Sequence, residues 1–284
     1  MRLNLQYIHS AMDRTWKNTH AECAFPKCRN TIPMRSVPQG RVGVRIGDLW
    51  YCSAACFADA AFVQFSAIQE RRVIEMPHNP RLSIGLVLLS KGLLAHHQLR
   101  LAVEESRQRG EEIELTLLRM GLTNERQLAT ARAAQWGCPV FRKDAVREPM
   151  EADIPTTLLR TCQAVPMSYS QNGKRLLMGF VVRVEHRFLL ALEKVTGCKT
   201  EPCFITQTDF EEQMSRLTVV PDCNAVLHED PQTPREMANA IALQATETCA
   251  RTAIFAECRD YLWTRIVGDR RTVDVLFKTP IRRQ

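Results

Sequence analysis

Two segments in the middle of the chain carry the same pattern of apolar positions. They read IGLVLLSKGLLAHHQLRLAVEES from Ile84 and IELTLLRMGLTNERQLATARAAQ from Ile113, an offset of 29 residues. In each segment a short apolar stretch ends at a glycine, Gly92 or Gly121, and glycine in the left-handed conformation often ends helices. A second stretch with helical spacing follows, and Asn124 is a good N-cap for it in the second copy. The pattern predicts two helix-turn-helix units that stack and bury their apolar faces.

The pattern changes toward the N-terminus. There the stretch GRVGVRIGDLWYC alternates small or apolar residues with polar ones, which predicts a β-hairpin. The stretch that follows places apolar side chains at helical spacing, namely Phe57, Ala61, Phe62, Phe65 and Ile68. This spacing predicts a helix directly after the hairpin.

The C-terminal part of the chain again predicts a helix followed by strands. Thr233 is a suitable N-cap, and Pro234 occupies the first helical position. The apolar face of this helix is formed by Met237, Ala240, Ile241, Ala245 and Cys249. Two strands, AIFAECRDYLWTRIV and TVDVLFK, are predicted to follow, with their connection at Gly268-Asp269.

No apolar run reaches the roughly 18 to 20 residues that are needed to span a bilayer. The N-terminal stretch also lacks the continuous apolar core and the cleavage site of a secretory signal. We therefore expect a cytoplasmic chain, which reaches the inner membrane only through a partner. A reducing compartment and an odd count of 11 cysteines argue against a disulfide framework. Seven scattered cysteines are expected to be small buried hydrophobic residues: Cys138, Cys162, Cys198, Cys203, Cys223, Cys249 and Cys258.

The other four cysteines form two close pairs. Four residues separate Cys23 from Cys28, and three separate Cys52 from Cys56. Two such pairs, joined by a loop the size of a hairpin, are typical of a structural zinc ion bound by four thiolates with no position left for water. The alternative is four thiols that bind no metal. In a further alternative, His20 replaces one of the cysteines as a metal ligand.

The second pair of cysteines lies where the predicted hairpin meets the predicted helix. The stretch YCSAACF, Tyr51 to Phe57, resembles the YCSxxCF knuckle of treble-clef zinc fingers. At a helix N-terminus the positive end of the helix dipole favours thiolate over thiol. Five basic residues are available to offset the negative charge of the site: Lys27, Arg29, Arg35, Arg41 and Arg45. Such a zinc ion would hold the finger together, and it would not by itself identify a reaction.

The repeat resembles the N-terminal domain of type II secretion and type IV pilus assembly ATPases, whose tandem units have the form RLG-x2-L-x3-G-x6-L-x3-L-x2-Q. The resemblance runs from about residue 80 to 218. After the repeat, AAQWGCPVFRKDAV resembles the family's passage to an edge strand. For the residues that follow, the resemblance implies a helix and then two strands, with Asn172-Gly173 as the hairpin turn between them. It further implies a helix capped by Gly197, a strand and a closing helix. The C-terminal helix and hairpin resemble the opening of the following domain in these ATPases, at 250–253 and 261–268.

Some members of this family bind cyclic di-GMP through the tandem units, where the Arg of each RLG and the closing Gln matter. Here the first unit reads Ser83-Ile84-Gly85 and has Ser106 at the closing position, although Arg81 lies two residues upstream. The second unit reads Glu112-Ile113-Glu114 and keeps Gln135. A bisphosphate ligand is bound by guanidinium donors and repelled by carboxylates. These departures favour a helical packing unit over a dinucleotide site.

The chain contains no phosphate-binding loop of the form G-x4-G-K-[S/T], because Gly173-Lys174 is followed by Arg175. The sequence therefore predicts a protein that is not an enzyme. The resemblance implies an adaptor or regulator that binds a protein partner of bacterial secretion or pilus machinery, either an inner-membrane platform or a motor. Two alternatives remain. One is a cyclic di-GMP effector, and the other is a nucleic-acid binder that uses the finger and the net charge of +7, although no stripe of basic and aromatic residues is present.

Together the elements predict an α+β fold in three parts. Residues 1–77 hold the four-cysteine zinc finger and its helix, and residues 232–284 hold a C-terminal helix plus a β-hairpin. The ATPase N-terminal-like domain between them covers residues 80–218. Within it, residues 80–136 form the tandem helical hairpins and residues 137–218 a small α/β subdomain.

Overall fold

The structure is a computed structural model that describes residues 20–33, 43–71, 82–142, 154–170, 173–217, 224–230 and 232–279. The described residues form helices and several sheets, which confirms the predicted α+β class. The chain divides into two compact units. Unit 1 combines residues before 76 with residues from 222 onward, and unit 2 consists of residues 76–221. None of the described helices combines the length and the apolar character that crossing a bilayer requires.

The N-terminal part of unit 1 contains two short antiparallel hairpins and one long helix. Strand β1 (His20–Glu22) pairs with β2 (Thr31–Pro33), and β3 (Val44–Ile46) pairs with β4 (Leu49–Tyr51). The two-residue turn between β3 and β4 begins at Gly47, whose φ of +59° favours glycine. Helix α1 (Ala54–Arg71) follows directly. The predicted hairpin and helix are therefore present.

Unit 2 begins with the predicted repeat. Its four helices are α2 (Ile84–Ser90), α3 (His96–Arg109), α4 (Ile113–Arg119) and α5 (Glu125–Trp136). The first helix of each copy has seven residues, and the starts of all four helices keep the offset of 29. Helix α2 packs against α5, and α3 packs against α4. The two copies therefore adopt the same shape and bury one shared core, as predicted.

The turns and caps of the two copies also correspond. Gly92 and Gly121 have φ of +69° and +66°, so both occupy the left-handed region. The side chain of Gln98 accepts a hydrogen bond from the backbone N–H of residue 95 at 2.9 Å, and Gln127 accepts one from the N–H of Asn124 at 3.0 Å. The side chain of Asn124 accepts in turn from the N–H of Gln127 at 2.9 Å, so Asn124 is the predicted N-cap.

The second half of unit 2 is a three-stranded sheet with helices. Its elements are α6 (Thr156–Cys162), β5 (Ala164–Ser170), β6 (Arg175–Phe180), α7 (His186–Thr196), β7 (Lys199–Phe204) and α8 (Gln207–Leu217). The strand order is β5-β6-β7, with β5 antiparallel and β7 parallel to β6. Gly197 ends α7 with a φ of +68°, as the resemblance implied. The implied edge strand is represented by one bridge between Val140 and Phe204. Part of that stretch, and Asn172 of the implied turn, lie outside the described residues.

The C-terminal part of unit 1 differs from the predicted helix plus hairpin. Its elements are β8 (Ala225–His228), α9 (Pro234–Thr248), β9 (Ala250–Cys258), β10 (Tyr261–Gly268) and β11 (Thr272–Lys278). The first predicted strand is in fact two antiparallel strands, β9 and β10, which are joined by a tight turn at Arg259-Asp260. Arg259 has a φ of +32° in this turn, which contains no glycine, proline or asparagine to mark it in the sequence.

The N-terminal hairpin and the C-terminal strands belong to one six-stranded sheet. Its order is β4-β3-β9-β10-β11-β8, and β3 runs parallel to β9. Helix α1 packs against α9 over this sheet, and the ring of Phe65 lies 5.3 Å from that of Phe255 and 5.5 Å from that of Phe277, centroid to centroid. Residues 1–77 and 232–284, which the sequence predicts to be separate domains, instead share one sheet and one hydrophobic core.

Candidate functional sites

The four predicted metal ligands come from both hairpins and from the start of α1. Cys23 directly follows β1, and Cys28 lies in the loop before β2. The N–H of Cys23 donates to the carbonyl of Asn30 at 3.0 Å, and the N–H of Cys28 donates to that of residue 25 at 2.9 Å, so the loop is a tight turn. Cys52 directly follows β4, and Cys56 lies in the first turn of α1. The fold thus brings two sequence-distant pairs together.

The geometry of the four sulfur atoms suits a metal ion. All four lie within 4.8 Å of one another. The Sγ of Cys52 lies 3.5 Å from that of Cys28 and 3.9 Å from that of Cys56. A tetrahedral zinc ion with Zn–S bonds of about 2.3 Å would place its sulfur ligands about 3.8 Å apart. Cys23 is buried and the other three are half-buried, so the four side chains could hold a metal within the protein.

The neighbouring thiols shift the pKa values of Cys52 and Cys56 in opposite directions. Burial raises the pKa of Cys52, but hydrogen bonds from Asn30 and from the other three cysteines lower it to about 7. Ser53 lowers the pKa of Cys56, yet burial and the neighbouring thiols raise it to about 12. The thiol of Cys52 thus ionises more readily than that of Cys56. Four thiolates at neutral pH therefore need a bound cation.

In the first copy of the repeat, the polar positions that were compared with the cyclic di-GMP motif stabilise helix ends. The hydroxyl of Ser83 accepts a hydrogen bond from the N–H of Leu86 at 3.4 Å and caps α2. The hydroxyl of Ser106 donates to the carbonyl of Glu111 at 2.5 Å. Arg81, the possible substitute for the missing arginine, lies outside the described residues.

In the second copy the corresponding positions are acidic and engaged with the rest of unit 2. Glu114 forms an ion pair with Arg132, which is only 8% exposed and also donates to the carbonyl of Val181 at 2.6 Å. Glu112 is exposed at the start of α4, and Gln135 donates to the carbonyl of Leu82. The sequence analysis missed the role of Arg132, because its pairing with Glu114 depends on how the two helices of the second copy pack.

The repeat exposes one leucine at the same position in each copy. Leu86 on α2 is 47% exposed and Leu115 on α4 is 53% exposed. They occupy matched positions, because the offset of 29 relates them. Leu101 on α3 is also exposed. The sequence analysis missed this exposure, since the apolar periodicity of a seven-residue helix does not show which leucine faces solvent.

Comparison with known proteins gives matches over about half of the chain. No protein-family model matches it. The type IV pilus assembly ATPase PilB of Thermus thermophilus is 27% identical over 129 residues, which cover 45% of this chain and 14% of PilB. The chain thus matches only a small part of PilB.

Solved structures give matches of similar extent. A structure of MshE with cdg is 21% identical, covers 48% of this chain and 99% of its own, and has a TM-score of 0.40. A structure of the N-terminal domain of XpsE is 21% identical, covers 50% of this chain and 98% of its own, and has a TM-score of 0.36. About half of this chain is therefore similar to the N-terminal domain of type II secretion and type IV pilus ATPases, as the sequence analysis predicted.

Proposed function

We propose that this protein is an adaptor or regulator without catalytic activity of its own, which binds a protein partner of a type II secretion or type IV pilus machine. The partner is a component of the inner-membrane platform or of the motor. The protein acts in the cytoplasm and reaches the inner membrane through that partner. The matched exposure of Leu86 and Leu115 carries this proposal, and the similarity to part of PilB supports the choice of machinery.

The exposed leucines favour a protein partner because their burial would release free energy. Covering a fully exposed leucine side chain contributes about 1.5–3 kcal/mol. Near Leu115, the carboxylate of Glu114 is already engaged in the ion pair with Arg132. The helices α2 and α4 therefore each offer a partner one apolar contact. A protein surface with two matching apolar positions would fit this arrangement.

The double variant Leu86→Glu with Leu115→Glu tests the docking surface. We expect it to recover about 10-fold less of the platform or motor component than the unmodified protein does, because a carboxylate cannot enter an apolar contact without loss of hydration. The measurement is affinity capture of the tagged protein from solubilised host membranes and cytosol, with quantitative mass spectrometry. Leu190→Glu is the control, since Leu190 lies on α7 and is 65% exposed. Recovery of no secretion or pilus component by the unmodified protein would contradict the proposal.

We further propose that the four cysteines hold a structural zinc ion. The observed sulfur geometry supports a cation at this position. Thiolate ligands favour zinc among the common divalent ions. With all four positions taken by protein, the ion would stabilise unit 1 and would bind neither water nor substrate.

Cyclic di-GMP is expected not to bind to the unmodified protein at micromolar concentration. Glu112 is exposed where the family motif has an arginine, so its carboxylate would repel the phosphates of the dinucleotide. Glu114 is paired with Arg132 and offers no donor to a phosphate. Isothermal titration calorimetry measures this directly, with MshE as the positive control because its structure with cdg is known. Micromolar binding by this protein would overturn the interpretation of both carboxylates and would favour an effector of cyclic di-GMP.

Nucleic-acid binding by the finger is less favoured. Helix α1, which a finger of this type would present to a groove, packs against α9 and buries Phe57, Ala61 and Phe65. Lys27 and Arg29 remain exposed on the first hairpin. A gel shift at low salt that weakens sharply at moderate salt would identify such an activity.

A further inference from the structure

A cavity of about 980 Å³ lies in unit 2, outside the docking surface formed by α2 and α4. Its floor is one face of the three-stranded sheet, where Ser168 of β5, Leu177 of β6 and Glu201 of β7 are aligned across the strands. One wall is formed by α5, through Arg126 and Thr130, and by the segment 139–142. A volume of this size lies at the upper end of the range for small-molecule sites.

The cavity has more positive than negative charge. Three arginines line it, together with one carboxylate, that of Glu201. Arg175 donates to this carboxylate at 2.7 Å and is therefore already paired. Arg126 and Arg142 form no ion pair with any residue that the structure describes, and both are exposed. Two guanidinium groups thus remain available to an anionic ligand, and each could bind a phosphate through two parallel N–H donors.

The rest of the lining is apolar or carries hydroxyl groups. Val140, Phe141 and Leu177 supply apolar surface, and Ser168 and Ser170 supply hydroxyl groups. If an inorganic anion bound, the apolar surface of the cavity would stay exposed to water. If an apolar ligand bound, the two arginines would have no anionic partner. A ligand that joins a phosphate to a planar or apolar body matches both parts.

We propose that this cavity binds a phosphorylated small molecule of mononucleotide size, with its phosphate on Arg126 and Arg142 and its planar body against Phe141 and Leu177. The cavity does not overlap the docking surface, because none of these residues belongs to α2 or α4. The sheet face and the segment 139–142 would act as a preformed site.

The test is isothermal titration calorimetry of the full chain with AMP, ATP, adenosine and inorganic phosphate as separate probes. We expect AMP or ATP to bind with a Kd below about 1 mM, and adenosine and phosphate to bind about 10-fold more weakly or not at all. The double variant Arg126→Gln with Arg142→Gln should weaken binding by about 10-fold or more, because both charge-assisted contacts are lost. Arg100→Gln is the matched control, since Arg100 is exposed on α3 and does not line the cavity.

Each outcome supports or overturns the proposal. Binding of a nucleotide that depends on Arg126 and Arg142 supports it, provided that the melting temperature of the double variant equals that of the Arg100→Gln control. Nucleotide binding that both variants retain would place the ligand elsewhere and would overturn it. If none of the four probes binds, the proposal is also overturned. If the unmodified protein binds nucleotide but captures no secretion or pilus component, the docking function alone is rejected.

Discussion

Replacing Cys52 with serine is expected to release bound zinc and to unfold all of unit 1, including strands that lie some 200 residues later in the chain. Structural zinc contributes about 10–16 kcal/mol in finger peptides, which equals or exceeds the total stability of about 5–15 kcal/mol of an ordinary domain. Because β3 pairs with β9, the loss should spread from the finger into β9, β10 and β11. Inductively coupled plasma mass spectrometry measures the zinc bound per chain. Amide hydrogen exchange measures the protection of these strands.

The control for this variant is Cys249→Ser. Cys249 is half-buried in the same unit and does not belong to the four-cysteine cluster. It should retain one zinc ion per chain and the exchange protection of β9. Unit 2 provides an internal reference, since its helices should stay protected in both variants. If Cys52→Ser kept its metal, or lost it while β9 to β11 remained protected, the proposed structural role of zinc would be wrong.

The second large effect is expected for Phe65→Ala in α1. Phe65 is 1% exposed, and its ring meets Phe255 of β9 and Phe277 of β11 edge-on. Truncation of a buried phenylalanine to alanine costs about 3–5 kcal/mol, because apolar contacts are lost and a cavity remains. We expect the free energy of unfolding of unit 1, measured by urea titration, to fall by that amount. The rates of amide hydrogen exchange in β9 and β11 should rise together.

Val63→Ala is the matched control on the same helix. Val63 is 61% exposed, so its truncation should change the unfolding free energy by less than about 0.5 kcal/mol. An effect of Phe65→Ala that stayed within the finger, with β9 and β11 unchanged, would show that the two segments fold separately.

The repeat could be predicted from sequence because it depends on local signals. Helix lengths, the left-handed glycines Gly92 and Gly121 and the N-cap at Asn124 all act within a few residues of each other. The same reasoning located the four cysteines, since ligand spacing is also a local property. Their convergence depended on the hairpin between the pairs, which the alternation of polar and apolar residues indicated.

The features that sequence reasoning missed depend on long-range pairing. No local signal reports that Arg45 and Ile46 of β3 lie beside Thr252 and Ala253 of β9. A parallel pair of strands leaves no turn signature, because its connection runs through the whole of unit 2. The turn at Arg259-Asp260 was missed for a different reason, since the residue with positive φ is an arginine and Asp260 alone is a weak turn signal.

The cavity in unit 2 was also not predictable from the sequence. Ser168, Leu177 and Glu201 become neighbours only through the register of three strands. Arg126 lies on α5, and Arg142 ends the segment that follows this helix, so no short motif joins the two arginines. A basic pocket whose lining comes from five different elements leaves no motif, so only the folded arrangement reveals its charge.

Unit 1 is formed by two segments of the chain with unit 2 between them, and this affects the order in which the protein can fold on the ribosome. Strand β3 is synthesised about 200 residues before its neighbour β9, which at about 5–20 residues per second is a delay of roughly 10–40 s. During that interval the nascent finger has an uncovered edge strand and an uncovered face of α1, while the intervening segment can complete its own fold. Early capture of a metal by the four thiols would hold the two hairpins ready until the last fifth of the polypeptide emerges.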